Sequence, residues 1–186
     1  MEKKMGNPAV VGLAGFGLTT LLLQFHNIGI LGLGPVIAMG IIFGGLAQLI
    51  AGFQEQKLGN NFGYSAFVSY GSFWIGLVII WVLNVLKVHE TSHTELGLYM
   101  LAWTLYTVIM FVASLRVHKA MAITFGLLLT GFVLLVLGVM VNPAFMKIAG
   151  YELIFCALMA WYMMAAIILN DLAGKIILPL GTPFKR

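Results

Sequence analysis

The segment Phe62-Gly-Tyr-Ser-Ala-Phe-Val-Ser-Tyr-Gly-Ser-Phe-Trp74 lies inside a longer stretch, Leu58 to Leu86, that carries no charged side chain. The longer stretch exceeds the roughly 20 mostly apolar residues that a helix needs to cross the hydrocarbon core of a bilayer. Ser65, Ser69 and Ser72 recur at helical spacing and form one hydroxyl-bearing face, and aromatic side chains occupy roughly the opposite face. The pattern predicts a transmembrane helix that faces protein or water as well as lipid. Close packing of helices through hydroxyl groups explains it equally well, so both interpretations stay open here.

The composition is that of an integral membrane protein. Apolar residues make up 61% of the 186 residues and charged residues 9%, whereas ordinary soluble domains are about 25% charged. We expect an all-α fold with six transmembrane helices, in a single domain that spans residues 1–186 and is embedded in the lipid bilayer. The six segments lie roughly at 8–27, 34–54, 62–86, 96–115, 119–141 and 151–173. The net charge of +4 indicates no nucleic-acid partner, and the lone Cys156 excludes an intrachain disulfide.

The positive charges are distributed unevenly between the two sides of the predicted bundle. With six spans, Lys87 and Lys147 fall on one side, and the other eight of the ten Lys and Arg residues fall on the side of the N-terminus. Cytoplasmic loops of membrane proteins carry an excess of Lys and Arg. The sequence therefore predicts a multi-pass protein of the plasma (inner) membrane with both termini in the cytoplasm.

Polar side chains inside the predicted spans mark a candidate pathway. Asn7 and Pro8 are suited to starting the first helix, whose amide donors and positive dipole end favour an anion. An ordinary well-capped helix is the other interpretation of this start. Phe16 and Thr20 lie on one face of the same helix. Gln48 is an amide near the middle of the second, glycine-rich span, where polar groups are costly and often functional.

The sequence carries no pattern typical of an enzyme or a metal site. It has no Gly-rich phosphate loop, no nucleophile–base pair and no cysteine cluster. His89 and His93 are four residues apart, but they belong to a polar segment that we interpret as an external loop, so we predict no metal and no cofactor. No Asp, Glu, Lys or Arg lies near the middle of a predicted span, so we expect no side chain to be an obligate proton carrier. Hydroxyls, amides and aromatic rings suit a small, weakly polar solute.

Four motifs resemble those of the acetate uptake transporter family, which includes bacterial succinate–acetate permeases and fungal acetate permeases. They are Asn7-Pro8-Ala9-Val10-Val11-Gly12-Leu13 with Gly15-Phe16-Gly17; Phe25-His26-Asn27; Ala38-Met39-Gly40 through Gly44-Gly45 to Gln48; and Phe62 through Trp74. This chain has Val10 where the family's Asn-Pro-Ala-Pro signature has its second proline. The motifs cover about the first half of the chain, and the second half is similar mainly in length and helix count.

The resemblance implies a six-helix protomer that assembles as a homohexamer, with one pore in each protomer for acetate and related small carboxylates such as succinate. It also implies an apolar constriction made by one phenylalanine, one tyrosine and one leucine. The corresponding residues in this chain are Phe16, Tyr70 and Leu128. Beside the constriction we expect hydrogen-bond donors to the carboxylate from Asn7, Thr20, Gln48 and Ser69. With the tyrosine facing the pore, the other serines of the third span are expected to pack against helices.

Other functions remain compatible with the residues. A channel for urea or small amides would use the same aromatic rings and amide side chains. A regulatory or sensing membrane protein would instead meet a partner through the Lys185-Arg186 tail. An intramembrane enzyme is disfavoured because paired catalytic groups at matched depth are missing from the spans.

Overall fold

The structure is a computed structural model, and it describes residues 5–184. Within these residues, six helices are long and apolar enough to cross a membrane. They are α1 (Ala9–Asn27), α2 (Leu33–Lys57), α3 (Asn61–Val85), α4 (His93–Ser114), α5 (Lys119–Met140) and α6 (Ala144–Ala173). The all-helical, six-span fold predicted from hydropathy is confirmed, and the differences lie at the helix ends.

Helix α6 begins at Ala144, well before the predicted start at 151. The Asn142 side chain explains the earlier start, because its Oδ1 accepts a hydrogen bond from the Ala144 backbone N–H at 2.9 Å. Asn7 does the same for Ala9 at the start of α1, also at 2.9 Å. Since the first amides of a helix lack partners within the helix, a side-chain acceptor at this position stabilises the start. The charged Lys147 is exposed in the first turns of α6.

Helix α2 extends to Lys57 instead of ending at 54, and its middle is a π-helical turn over Ile42–Ala47. Helix α4 begins at His93 instead of 96, because Ser92 and Glu95 form a capping box that satisfies amides at its start. Part of the segment predicted to be an external loop is therefore helical.

Helix α1 is central to the bundle and packs against α6, α2 and α3, while α5 packs between α4 and α6. Glycines allow two of these close approaches. A Cβ at Gly15 would collide with the Phe43 carbonyl oxygen of α2, and a Cβ at Gly17 would lie 2.5 Å from Trp161 Cδ1 of α6. Large apolar side chains such as Ile79, Leu105 and Phe155 are exposed on the outside of the bundle, as expected for a surface that contacts lipid.

Candidate functional site

Two cavities lie inside the bundle. The larger one, called here the large cavity, has a volume of about 540 Å³, which is within the range of small-molecule sites. Its wall is formed by residues of α1, α2, α3, α5 and α6 together with the segment between α4 and α5. They include Asn7, Leu13, Gln48, Glu55, Asn60, Phe62, Phe67, His118, Phe125, Met163 and Ile167. The cavity lies where α1 begins and α2 ends.

The second cavity, called here the small cavity, has a volume of about 20 Å³, enough for roughly one water molecule. Its wall combines apolar side chains of α1, α3, α5 and α6 with a few polar groups. Besides three residues that it shares with the large cavity, the wall consists of Thr20, Leu23, Gln24, Phe73, Trp74, Phe132, Leu135 and Leu153.

Within residues 5–184, three side chains line both cavities: Phe16, Tyr70 and Leu128. Their exposed fractions are 8%, 3% and 6%. The Phe16 and Tyr70 rings meet edge to face, with centroids 6.2 Å apart. The three residues come from three different helices, α1, α3 and α5, and lie between the two cavities.

Tyr70 is held in place by contacts on several sides. Its hydroxyl lies 2.8 Å from Thr107 Oγ1, and Thr107 donates its own proton to the Trp103 carbonyl at 2.7 Å. Thr107 Oγ1 is therefore the acceptor for the Tyr70 O–H. The Tyr70 ring also lies 5.7 Å from the Tyr106 ring and 6.0 Å from the Phe125 ring, between centroids. Helix α4 therefore supplies the support for this tyrosine.

Asn7 and Gln48 both line the large cavity. Asn7 is exposed and caps α1 through its side-chain oxygen. Gln48 is 1% exposed, and its Oε1 has no hydrogen-bond partner among the residues that the structure describes. It directly follows the π-helical turn Ile42–Ala47, and such turns occur frequently at functional sites.

Thr20 lies on the other side of the three shared residues and lines the small cavity. Its hydroxyl is buried and lacks a hydrogen-bond partner within residues 5–184, and so does the Trp74 indole N–H in the same wall. Buried polar groups normally have partners, and these two donors have none among the described residues although both side chains belong to the wall of the small cavity. Trp74 had been assigned only to the aromatic face of its helix.

Ser69 takes a different position from the one expected. It is in the wall of neither cavity, and the Tyr106 hydroxyl of α4 lies 2.9 Å from its Oγ. The same tyrosine hydroxyl lies 2.8 Å from Ser65 Oγ. These two serines therefore join α3 to α4, as expected for hydroxyl groups between packed helices, whereas Ser72 bonds to the Val68 carbonyl of its own helix.

The large cavity is also lined by two ionisable side chains that were not expected from the sequence. Glu55 is 3% exposed, and its Oε2 accepts a hydrogen bond from Asn60 Nδ2 at 2.6 Å. The sequence placed this glutamate beyond the end of the second span, where water would have solvated it. His118 precedes α5, and its Nδ1 accepts the Met121 backbone N–H at 3.0 Å. Burial lowers the pKa of His118 below its usual 6.5.

A second acidic residue has its carboxylate buried away from both cavities. Glu152 lies about two turns inside α6, because that helix begins at Ala144. Its carboxylate oxygens are buried without a hydrogen-bond partner in the described part of the chain. A Cβ at Gly131 of α5 would lie 2.9 Å from Glu152 Oε2, so the carboxylate sits between α5 and α6. The predicted span began at 151, which had placed Glu152 at the hydrated boundary.

The fold and these cavities define a multi-pass membrane protein whose helices form two cavities separated by three largely apolar side chains. A model of the GPR1/FUN34/yaaH family matches residues 1–182, and the chain belongs to this family. The family resemblance inferred from the four motifs is thereby confirmed.

Relatives and a solved structure agree with the assignment. The chain is 40% identical to the succinate-acetate/proton symporter SatP of Escherichia coli K12, over 96% of both chains. It is 33% identical to acetate permease A of Emericella nidulans, over 92% of this chain and 62% of the permease. The solved structure of the bacterial acetate channel SatP superimposes with a TM-score of 0.92 at 40% identity, over 96% of this chain and all of that one. These relatives are transport proteins and not enzymes.

Proposed function

We propose that the protein carries acetate and related small carboxylates, such as succinate, across the membrane through the two cavities. The observation that carries this proposal is the position of Phe16, Tyr70 and Leu128, which line both cavities at once. In the proposal these side chains form a constriction between the large cavity and the small cavity. The substrate class is suggested by the names of two relatives, the succinate-acetate/proton symporter SatP and acetate permease A.

The constriction would select by size and by hydration. A fully hydrated ion is too large for a neck closed by two aromatic rings and a leucine, and apolar constrictions can gate by excluding water. Stripping a carboxylate of its water is costly unless donors replace that water. Asn7 and Gln48 would supply side-chain amide N–H groups on one side, and Thr20 would supply its hydroxyl on the other. The Thr20 hydroxyl is buried without a hydrogen-bond partner within residues 5–184. Ser69 enters the proposal only through its contact with Tyr106.

The same proposal covers topology and assembly. Six spans place both termini on one side, and the excess of Lys and Arg near the ends of α2 and α4 supports a cytoplasmic position for that side. The large cavity would then open toward the cytoplasm of a plasma-membrane protein. The chain would act as one six-helix unit within a homohexamer, each protomer with its own pathway, and the family resemblance is the support for that assembly.

The experiment is uptake of labelled acetate into liposomes that contain the purified protein, with empty liposomes as the control for diffusion through lipid. Saturable, protein-dependent entry that unlabelled succinate inhibits and urea does not is the expected result. Urea entry that ignores acetate would instead support an amide channel. No flux of either solute from correctly assembled protein would contradict transport and favour a sensing role.

A further inference from the structure

Tyr106 of α4 is tied to α3 by its hydroxyl group. That hydroxyl lies 2.8 Å from Ser65 Oγ, 2.9 Å from Ser69 Oγ and 3.0 Å from the Ser65 carbonyl oxygen. A phenol donates one proton and accepts through its oxygen, so it donates toward the Ser69 hydroxyl and the Ser65 carbonyl and accepts from the Ser65 hydroxyl. Ser65 and Ser69 lie one turn apart on the same face of α3. The outer end of the Tyr106 side chain is therefore held at two points of that helix.

The Tyr106 ring packs against the Tyr70 ring. The two rings meet edge to face, with centroids 5.7 Å apart. Trp103, on the same helix as Tyr106, adds to this support, because its ring centroid lies 6.0 Å from that of Tyr70 and 5.6 Å from that of Tyr106. Phe16 also meets the Tyr70 ring, at 6.2 Å, but within residues 5–184 it makes no ring contact with Tyr106. The Tyr70 ring thus meets Phe16 of α1 at the constriction and has a separate support from α4.

The hydrogen bond to Thr107 leaves one motion of the Tyr70 ring free. It holds the Tyr70 hydroxyl, which lies on the same axis as the bond that joins the ring to Cβ. Rotation of the ring about that axis therefore keeps the hydrogen bond, and such torsions of aromatic side chains have broad energy wells. A phenol ring is much wider than it is thick, so this rotation decides how much space is left beside it. The rotation is opposed by the groups that pack against the faces and edges of the ring, and Tyr106 is one of them.

We propose that Tyr106 is a positioning residue that sets the size limit for the substrate. With its hydroxyl held by α3, its ring fixes the rotation of the Tyr70 ring and so the width of the constriction beside Phe16. Tyr106 lines neither cavity, whereas Tyr70 lines both, so Tyr106 acts on the pathway through Tyr70. The inference rests on the proposed function, because it concerns the size of the carboxylate that passes between the cavities. It gives Ser65 and Ser69 a part in that size limit, although neither lines a cavity.

The first test is the ratio of succinate uptake to acetate uptake by the purified full-length protein in liposomes. Because both rates come from the same preparation, the ratio does not depend on how much of the protein is folded. Tyr106→Phe keeps the ring but removes the hydroxyl, so the ratio should rise about two- to tenfold, the factor that corresponds to one neutral hydrogen bond. Tyr106→Leu also removes the ring and should raise the ratio at least as far.

Tyr99→Phe is the matched control, because the Tyr99 hydroxyl also joins α4 to α3. It donates to the Phe73 carbonyl at 2.9 Å, and its ring contacts the rings of Phe73 and Trp103 but not that of Tyr70 in the described chain. The melting temperature should fall by a similar amount in Tyr99→Phe and Tyr106→Phe, whereas the uptake ratio of Tyr99→Phe should stay at the wild-type value. A role of Tyr106 in stability alone would give the same ratio in both variants.

A second test reads the Tyr70 ring directly and needs no transport. When 3-fluorotyrosine is placed at position 70, the exchange broadening of its fluorine NMR signal reports the rate of ring rotation. This rate should rise several-fold in Tyr106→Phe and in the double variant Ser65→Ala/Ser69→Ala, and it should stay at the wild-type value in Tyr99→Phe. Adding Tyr106→Phe to the double serine variant should cause little further rise, since the hydroxyl and its partners act as one unit.

Three results would overturn the proposal. They are a wild-type uptake ratio in both Tyr106→Phe and Tyr106→Leu, a ratio that Tyr99→Phe raises as much as Tyr106→Phe does, and a rotation rate at position 70 that Tyr106→Phe leaves unchanged. Folding of each variant is checked by its elution volume and melting temperature. If wild type shows no carboxylate flux at all, the proposed function fails and the size limit fails with it. That result is distinct from normal acetate flux with an unchanged uptake ratio, which overturns the role of Tyr106 alone.

Discussion

The Tyr70 hydroxyl donates to Thr107 Oγ1 across 2.8 Å, joining α3 to α4 between residues 37 positions apart. Tyr70 lines both cavities, while Thr107 lines neither and is fully buried. The ring at the proposed constriction is thus positioned by a residue that does not itself touch the pathway.

Loss of this support should lower stability in a way that depends on which partner is removed. Thr107→Val leaves the buried Tyr70 hydroxyl without an acceptor and should cost about 1–3 kcal/mol. Tyr70→Phe leaves Thr107 bonded to the Trp103 carbonyl and should cost only about 0.5–1.5 kcal/mol. Unfolding free energies should show the double variant losing less than the sum of the two. Ser72→Ala, which removes an exposed hydroxyl on α3, is the control, and strict additivity would argue against a coupled pair.

Widening the proposed constriction should change which acids pass. Phe16→Ala removes a ring that lines both cavities and meets Tyr70, so succinate uptake should rise several-fold relative to acetate uptake. Phe155→Ala is the matched control because Phe155 is 63% exposed on the outside of α6. Uptake of every acid at wild-type rates by Phe16→Ala would rule out a gate at this position.

Gln48 should affect substrate affinity and stability in opposite directions. Gln48→Leu removes an amide from the large cavity, and loss of a hydrogen bond to a charged ligand should weaken acetate binding about tenfold. The same change removes a buried oxygen without a partner in residues 5–184, so the melting temperature should stay the same or rise. Gln56→Leu, at an exposed position of the same helix, should leave acetate affinity at the wild-type value. Unchanged affinity in Gln48→Leu would exclude this amide from the binding site.

His118 should make stability depend on pH in mildly acidic solution. Burial lowers its pKa in the folded state below the unfolded value of about 6.5. As the pH falls below about 6.5, the unfolded chain therefore binds a proton that the folded protein does not. The contribution of His118 to the free energy of unfolding is therefore fully present above that pH. It decreases as the pH falls, and the decrease levels off once the pH is below the lowered pKa of the folded state.

His118→Asn tests this dependence, because asparagine is a good helix N-cap and does not titrate in this range. Its melting temperature should match that of wild type near pH 8. As the pH is lowered, it should fall less than that of wild type, because the His118 contribution is absent. His118→Ala should also lack that contribution, but it should be less stable at every pH by about 1 kcal/mol because the cap is lost. An unchanged acid dependence in His118→Asn would assign the loss to other groups.

The contact between α1 and α6 should tolerate no side chain at Gly17. Gly17→Ala places a methyl group 2.5 Å from Trp161 Cδ1 and 2.7 Å from its Nε1, so the helices must shift, at a cost of about 1–3 kcal/mol. Gly34→Ala is the control, since no atom lies within 4 Å of a Cβ there. It should be neutral or stabilising, and an equal loss in both variants would contradict the packing argument.

Much of the candidate site could be predicted from the sequence because its members belong to short motifs. Phe16 and Tyr70 follow from the resemblance of their motifs, and the structure puts them in contact with each other. Ser69 could not be placed in this way. A one-dimensional pattern gives the relative angle of side chains on one helix, but not which neighbouring helix each side chain meets.

Glu55 and Glu152 illustrate the same limit at the helix ends. Hydropathy ended the second span before Glu55 and began the sixth at 151, because charged residues close to a boundary lower the local average. The Asn142 contact extends α6 outward, and α2 continues one turn beyond its predicted end. Both carboxylates become buried as a result.

The sequence by itself determined the class of protein, the number of spans and the family, since bilayer thickness and helix rise translate directly into runs of apolar residues. Only the tertiary structure decided which polar groups meet. The rotation and packing of the helices decide three features. They are the Tyr70–Thr107 hydrogen bond, the burial of Glu55 beside Asn60, and the two cavities that meet at Phe16, Tyr70 and Leu128. That arrangement comes from packing between distant segments, such as Gly17 against Trp161, which no local pattern encodes.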